Sequence, residues 1–246
     1  MKQKISQLLA DKYINYQYQL PEYNPTAEFD WIQKHSGLPW LPLSLSVPHN
    51  AILAEIKNIE SLMSAHRDEY NEHQGWKSFC IHGKSYNATK EDAYYNDDRP
   101  YIWTPEAETL MPTTVNYFKT QWPGSQYRRI RIMLLEPGGY ITIHRDSDTP
   151  GLTAINIAVT QPAGCNFVME KKGAVPFHSG SALWLDLSNN HTVFNNSNQE
   201  RWHIIVHQSI KDQNFQNEVV NSYKKLYNNT NENSQNYNPR RSKHQD

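Results

Sequence analysis

Two identical triplets, His66-Arg67-Asp68 and His144-Arg145-Asp146, stand out among the 11 histidines of this 246-residue chain. His-x-Asp with a distant second histidine is the commonest sequence form of the facial triad. In that arrangement two imidazoles and one carboxylate hold Fe(II) on one side and leave three positions open to substrate and O2. Eleven histidines and eleven aspartates in 246 positions yield roughly 0.5 such pairs by chance. The triplet alone therefore decides nothing, and the element that carries it must be asked for.

Periodicity separates the two copies. His66 and Asp68 follow a segment that Asn50 can cap, with Ile52, Leu53, Ile56, Ile59, Leu62 and Met63 at helical spacing over 50–63. On a helix, positions i and i+2 point to nearly opposite sides, so this pair reads as solvated helix surface. His144 instead ends the β-type run Tyr140-Ile141-Thr142-Ile143, where i and i+2 share a face. Strict alternation puts Ile141 and Ile143 on one side, and Tyr140, Thr142, His144 and Asp146 on the other. Taken alone, this pair reads equally well as two metal ligands or as ordinary polar residues at a strand end.

A third ligand has to come from a neighbouring strand. His191 follows Asn189-Asn190 and opens Thr192-Val193-Phe194-Asn195, and ten residues later Arg201 opens the apolar run Trp202-His203-Ile204-Ile205-Val206. A guanidinium entering an apolar barrel needs a partner, because a buried unpaired charge is very costly. A dicarboxylate such as 2-oxoglutarate would supply one: its 2-oxo acid end can chelate iron while its far carboxylate meets the arginine fork. The alternative is that Arg201 pairs on the surface with a local acid such as Glu200.

From Tyr127 onward the chain is a series of short β-type runs at 127–135, 139–145, 152–160, 165–170, 181–187, 192–195 and 201–210. Pro137-Gly138, Thr149-Pro150-Gly151, Gly164, Gly173 and Asn189-Asn190 separate them. This spacing predicts an antiparallel sandwich or barrel. The first half reads as support: a short amphipathic helix near the start, the helix at 50–63, a strand at 75–81 and helical character over 106–119, closed by Pro123-Gly124. We expect one domain over 1–226, with support at 1–125, a β core at 126–210 and a closing helix at 211–226. A polar, disordered tail is expected over 227–246.

Lys plus Arg is 24 and Asp plus Glu is 25, so the formal charge of -1 gives no general attraction for nucleic acid or an anionic membrane. Two cysteines, Cys80 and Cys165, exclude a disulfide scaffold and a four-cysteine zinc site, and they read as buried thiols. No apolar stretch approaches the roughly 20 residues of a membrane span. The expectation is a soluble cytoplasmic protein with a small-molecule or peptide substrate, and nothing points to an oligomeric state.

Several motifs occur in one order: Gly75-Trp76-Lys77-Ser78-Phe79, Pro137-Gly138 ahead of His144, and Pro162-Ala163-Gly164-Cys165. They are followed by Asp186-Leu187-Ser188-Asn189-Asn190-His191-Thr192-Val193 and by Arg201-Trp202-His203-Ile204-Ile205-Val206. Through them the stretch from Gly75 to Val206 resembles the aspartyl/asparaginyl β-hydroxylase family of Fe(II)/2-oxoglutarate dioxygenases, whose interval between second iron ligand and arginine is also ten. The resemblance implies a double-stranded β-helix, a jelly-roll or cupin-like core with the N-terminal helices packed on it. It also implies iron held by His144 and His191, 2-oxoglutarate held by Arg201, and hydroxylation of an amino-acid-like substrate with O2. Departures are visible. The animal β-hydroxylases acting on epidermal-growth-factor-like domains have glycine where this chain has Asp146, which here completes a triad. The family's cosubstrate serine falls at Met133, and its Arg-x-His pair falls at Ala154 and Asn156. Asn156 can still hydrogen-bond a carboxylate.

Arg129 and Arg131 share a strand face, and Arg131 is either a contact for a substrate carboxylate or a surface charge. His203 shares a face with Arg201 and is either a neighbour of the site or a satisfied core histidine. His207, His178, His82 and His49 read as structural or exposed, and Asp186 as ordering the turn before His191. Tyr94, Tyr95, Tyr101 and Trp103 form either a lid or barrel packing. Two other functions are compatible with such a barrel. One is a cupin-type metalloenzyme that does not use 2-oxoglutarate, against which Arg201 argues. The other is a non-catalytic, degenerate barrel acting as a binding module, against which the intact His144/Asp146/His191 set argues.

Overall fold

Apolar residues at alternate positions dictate a sheet with two unlike faces, and the computed structural model of the chain shows one. It describes residues 2–66, 73–88 and 99–236, with side chains as far as 229. Among them the strands are β1 (Trp40–Leu43), β2 (Ser64–Ala65), β3 (His73–Gly83), β4 (Ile102–Trp103), β5 (Tyr127–His144) and β6 (Ala154–Ala158). They continue with β7 (Cys165–Met169), β8 (Gly173–Ala174), β9 (Ala182–Leu185), β10 (His191–Asn195) and β11 (Arg201–Gln208). All pairings are antiparallel, in the order β1-β9-β6-β11-β5-β10-β7-β8, with β3 also on β5. The result is a curled half-barrel of jelly-roll type.

In β11, Trp202, Ile204 and Val206 join the core beneath the helices. Arg201, His203, Ile205 and His207, one residue out of phase, line a cavity on the other face. The helical layer comprises α1 (Lys2–Tyr13), α2 (Phe29–His35), α3 (His49–Ile56), α4 (Pro105–Leu110), α5 (Pro112–Thr120) and α6 (Gln213–Asn236). The stretch expected to be helical at 106–119 is two helices, because Pro112 cannot continue the hydrogen-bond ladder and restarts a helix as its first residue. No helix among the described residues is long and apolar enough to cross a membrane.

Four expectations are corrected. The helix expected over 50–63 ends at Ile56, with Pro48 rather than Asn50 at its N-cap and a short 3-10 turn at Glu60–Leu62. His66 therefore follows β2 instead of lying on a solvated helix, and it is buried; Asp68 lies outside the described residues. The closing helix runs ten residues past its expected end at 226, to Asn236, and Tyr223 and Tyr227 pack against each other and against Tyr23 to anchor it. The tail expected from 227 thus begins in helix, and 237–246 lie outside the described residues.

Pro137-Gly138 is not a turn between strands. It is a bend inside β5, with Gly138 at φ 72°. Before the bend β5 lies between β11 and β3; after it, between β10 and β3. At Gly139 a Cβ would sit 2.8 Å from the Glu136 carbonyl and 2.9 Å from that of Gln74, so the close approach of β3 and β5 needs glycine.

The alternation expected over 140–146 also fails. His191 pairs with His144 but Val193 with Ile141, so β5 carries one extra residue there, a β-bulge. Ile141 and His144 consequently share the cavity, while Tyr140 and Ile143 pack outward with Phe194 and α1. The amides disturbed by the bulge are accounted for: Ile143 N–H donates to Ser6 Oγ (2.7 Å) and Thr142 N–H to His73 Nδ1 (3.2 Å).

Candidate metal centre

His144 stands at the end of β5, Asp146 two residues beyond it, and His191 at the start of the adjacent β10. Each offers one ligand atom, and the three atoms lie within 4.8 Å of one another. His144 Nε2 is 3.6 Å from Asp146 Oδ1. The other nitrogen of each imidazole is fixed by the backbone: His144 Nδ1–H donates to Thr142 O (2.7 Å) and His191 Nδ1–H to Asn189 O (2.9 Å). That tautomer leaves both Nε2 lone pairs for a metal. Burial, reinforced by His144 and opposed by Asp146, pushes His191 down to about 4, so its ring is neutral at ordinary pH. Phe167 stacks on it at 5.0 Å, and Asp186 Oδ1 accepts from Ser188 N–H and Oγ–H in the turn that leads into it. Two imidazoles with their Nδ1 atoms held by backbone carbonyls and a carboxylate fit Fe(II).

The three face a cavity of about 350 Å³ that also holds Arg201. Arg201 is 1% exposed. Its Nε donates to Gln161 Oε1 (3.2 Å), Nη1 donates to His203 Nδ1 (2.9 Å), and the guanidinium lies 5.4 Å over the Phe177 ring. Its Nη2 has no hydrogen-bond partner among the described residues. The surface pairing with Glu200 does not occur, since Glu200 Oε2 accepts from Trp202 Nε1. A buried guanidinium nitrogen without an acceptor, in one cavity with the ligand set, fits a carboxylate ligand such as that of 2-oxoglutarate.

Asn156 and Ala154 line the same cavity, whereas Met133 is buried between His203 and Ser78 in the sheet. Arg129 and Arg131 are buried and line it too, so neither is a surface charge. His203 lines it as well, well below its usual pKa range because of burial and the neighbouring Arg201 and Arg131. Since arginine can only donate, His203 Nδ1 accepts and its proton sits on Nε2.

Three participants escaped the sequence reading. His207, expected to be structural or exposed, lines the cavity with its Nε2 3.5 Å from Arg131 Nη2. His66 lines it from the end of β2, 3.1 Å from Ser78 Oγ. Gln161 holds Arg201, and its only signal is its place just ahead of Pro162-Ala163-Gly164-Cys165. Of the aromatic loop, Trp103 packs on His82 and Tyr127 as part of the barrel; Tyr94 and Tyr95 lie outside the described residues. His178 is exposed, His82 is buried, and both cysteines are free and buried.

The sequence profile of the family described as aspartyl/asparaginyl beta-hydroxylase matches residues 48–209, more than half of the chain. The chain belongs to this family. It is accordingly a 2-oxoglutarate-dependent Fe(II) oxygenase, a hydroxylase whose cofactors are Fe(II), 2-oxoglutarate and O2. That membership sets aside both the cupin-type enzyme without 2-oxoglutarate and the non-catalytic barrel. No curated protein sequence matches the chain. Similar solved structures include an oxidoreductase of the 2OG-Fe(II) oxygenase family from Burkholderia pseudomallei, with 13% identity and a TM-score of 0.47 over 79% of this chain and 96% of that one. A prolyl-4-hydroxylase from Pseudomonas putida has 13% identity and a TM-score of 0.43 over 74% of this chain and 97% of its own. A collagen prolyl hydroxylase of Paramecium Bursaria Chlorella virus-1 has 9% identity and a TM-score of 0.40 over 70% and 96%.

Proposed function

We propose that this hydroxylase inserts oxygen into a C–H bond of an amino-acid-like substrate, free or within a peptide. In this reading His144, Asp146 and His191 hold the iron, Arg201 and Asn156 hold 2-oxoglutarate, and Arg131 and His203 face the substrate. The observation that carries it is the convergence of three ligand atoms within 4.8 Å in the cavity that also buries Arg201. Iron and 2-oxoglutarate supply the oxidation when bound: the substrate C–H becomes C–OH while 2-oxoglutarate and O2 are consumed to succinate and CO2.

The protein's own part is positioning and exclusion. Ile141, Phe167, Leu187 and Val193 give the metal side of the cavity an apolar lining that keeps water away. Arg131 presents a cation to a substrate carboxylate, and His203 offers its Nε2–H to a substrate oxygen. A cavity of about 350 Å³ that must also take 2-oxoglutarate leaves room for a substrate group no larger than an amino acid or a single peptide side chain. The test is to incubate the iron- and 2-oxoglutarate-loaded protein with amino acids and short peptides and to look by mass for one added oxygen matched by succinate. His144→Ala and His191→Ala should each abolish both products, and full turnover in both variants would overturn the metal assignment.

A further inference from the structure

We infer that Gln161 and His203 form a clamp that orients Arg201, so that the guanidinium meets the far carboxylate of 2-oxoglutarate through its Nη1–Nη2 edge. The inference rests on the proposed role of Arg201 and adds two positioning residues to it. A guanidinium has five N–H donors. Here the Nε donor goes to Gln161 Oε1 at 3.2 Å and one Nη1 donor to His203 Nδ1 at 2.9 Å. Three donors are left, one on Nη1 and two on Nη2, and the Nη2 atom is buried with no partner among the described residues.

Both clamping groups are themselves fixed. Gln161 Nε2 donates to the Cys165 carbonyl at 2.6 Å, which aims its Oε1 at Arg201. His203 sits in the middle of β11, paired with Met133 of β5 on one side and Ala158 of β6 on the other. Phe177 covers the guanidinium at 5.4 Å. Both acceptors are neutral, and this has a chemical consequence. An Asp or Glu at either place would also hold the arginine, but it would cancel the charge and compete with the incoming carboxylate. A neutral amide and a neutral imidazole orient the fork and leave its charge for the ligand. The clamp also removes rotamer freedom from a long side chain before binding, so less is lost when the carboxylate docks.

The experiment is isothermal titration of the full-length, Mn(II)-loaded protein with two ligands. 2-Oxoglutarate carries both the 2-oxo acid end and the far carboxylate; 2-oxobutyrate carries the first only. Wild type, Gln161→Met, His203→Phe and Arg201→Met are compared by the ratio of the two affinities. Loss of one charge-assisted hydrogen bond and of orientation should weaken 2-oxoglutarate about 10-fold, about 1.4 kcal/mol, in Gln161→Met and in His203→Phe. Affinity for 2-oxobutyrate should stay within about twofold, a split that general loosening of the barrel would not produce. If Arg201→Met collapses the ratio while both clamp variants keep it, the clamp is wrong and the role of Arg201 stands. If Arg201→Met keeps the ratio, the role of Arg201 fails and the clamp with it. Equal weakening of both ligands in the clamp variants means a merely structural role and overturns the inference.

Discussion

Replacing Arg201 by methionine should separate what this residue does for the ligand from what it does for the fold. The side chain is 1% exposed, and its hydrogen-bond partners are the neutral groups Gln161 Oε1 at 3.2 Å and His203 Nδ1 at 2.9 Å. Burial pulls its pKa below the ordinary arginine value, with Cys165 opposing. Removing the charge relieves a desolvation penalty of several kcal/mol. It also orphans one buried acceptor, His203 Nδ1, and one half-buried acceptor, Gln161 Oε1, at up to about 1–3 kcal/mol each. Methionine is apolar and close in length, so little cavity is opened. These terms nearly cancel, and the net change in stability should fall within about 2 kcal/mol of zero. For a chain of this size that is at most about 8 °C in Tm, in either direction. The ligand has no such compensation. Losing a charge-assisted contact of about 1.5–3 kcal/mol should weaken 2-oxoglutarate roughly 10–150-fold. Differential scanning fluorimetry and titration with 2-oxoglutarate read the two effects on one sample. A Kd within about threefold of wild type, with Tm intact, would show that Arg201 does not bind the carboxylate. A fall in Tm far beyond about 8 °C would show that the guanidinium is chiefly structural.

Other perturbations test other parts of the argument. Asp146→Gly should lower iron affinity by more than tenfold while leaving Tm unchanged, because Asp146 is at the surface; equilibrium dialysis against Fe(II) checks this, and unchanged affinity would mean that two histidines suffice. Gly139→Ala forces a Cβ to 2.8 Å and 2.9 Å from two carbonyl oxygens, so it should cost about 1–3 kcal/mol and weaken iron binding by displacing His144. Gly138→Ala meets no atom within 4 Å and strains only its φ of 72°, at about 1–2 kcal/mol, without touching the metal centre. His207, pushed down to about 3 by burial and then by Arg131 and Arg129, stays neutral in the folded chain while the unfolded chain protonates near 6.5. Its contribution therefore lowers stability as pH falls from about 6.5 towards 3, by up to about 1.4 kcal/mol per pH unit. Urea unfolding of His207→Gln at pH 7 and pH 5 should show a correspondingly flatter pH dependence.

Much of the β core was legible because its signals are local. The runs expected at 192–195 and 201–210 carry their turn residues beside them, and each became a strand within a few residues of its expected bounds. The run at 139–145 became the second half of β5 and ends within a residue of its expected end. Pro137-Gly138 misled for a physical reason. A Pro-Gly pair marks a change of backbone direction, and only the neighbouring strand decides whether that change is a turn or a bend; β3 running beside both halves of β5 made it a bend. His66 misled because the apolar spacing after Asn50 persists beyond the point where the helix stops. The placement of His144 depended on a bulge, which alternation counted along a single strand cannot reveal.

By itself the sequence determined the chemistry available: two imidazoles, a carboxylate and one arginine, at spacings that a jelly roll can bring together. It put Arg201 and His203 on one face of β11, the face that lines the cavity while Trp202, Ile204 and Val206 pack beneath the helices. Tertiary structure decided the rest. It set which histidine nitrogen is left for a metal, through carbonyls two residues away, Thr142 in β5 and Asn189 in the turn before β10. It decided that the bulge in β5 turns His144 toward the cavity, with Ser6 of a distant helix accepting one of the displaced amides. And it brought Gln161 to Arg201 across 40 residues of chain. These depend on where separate strands pack against one another, and packing is a property of pairs of elements that no single stretch of sequence carries.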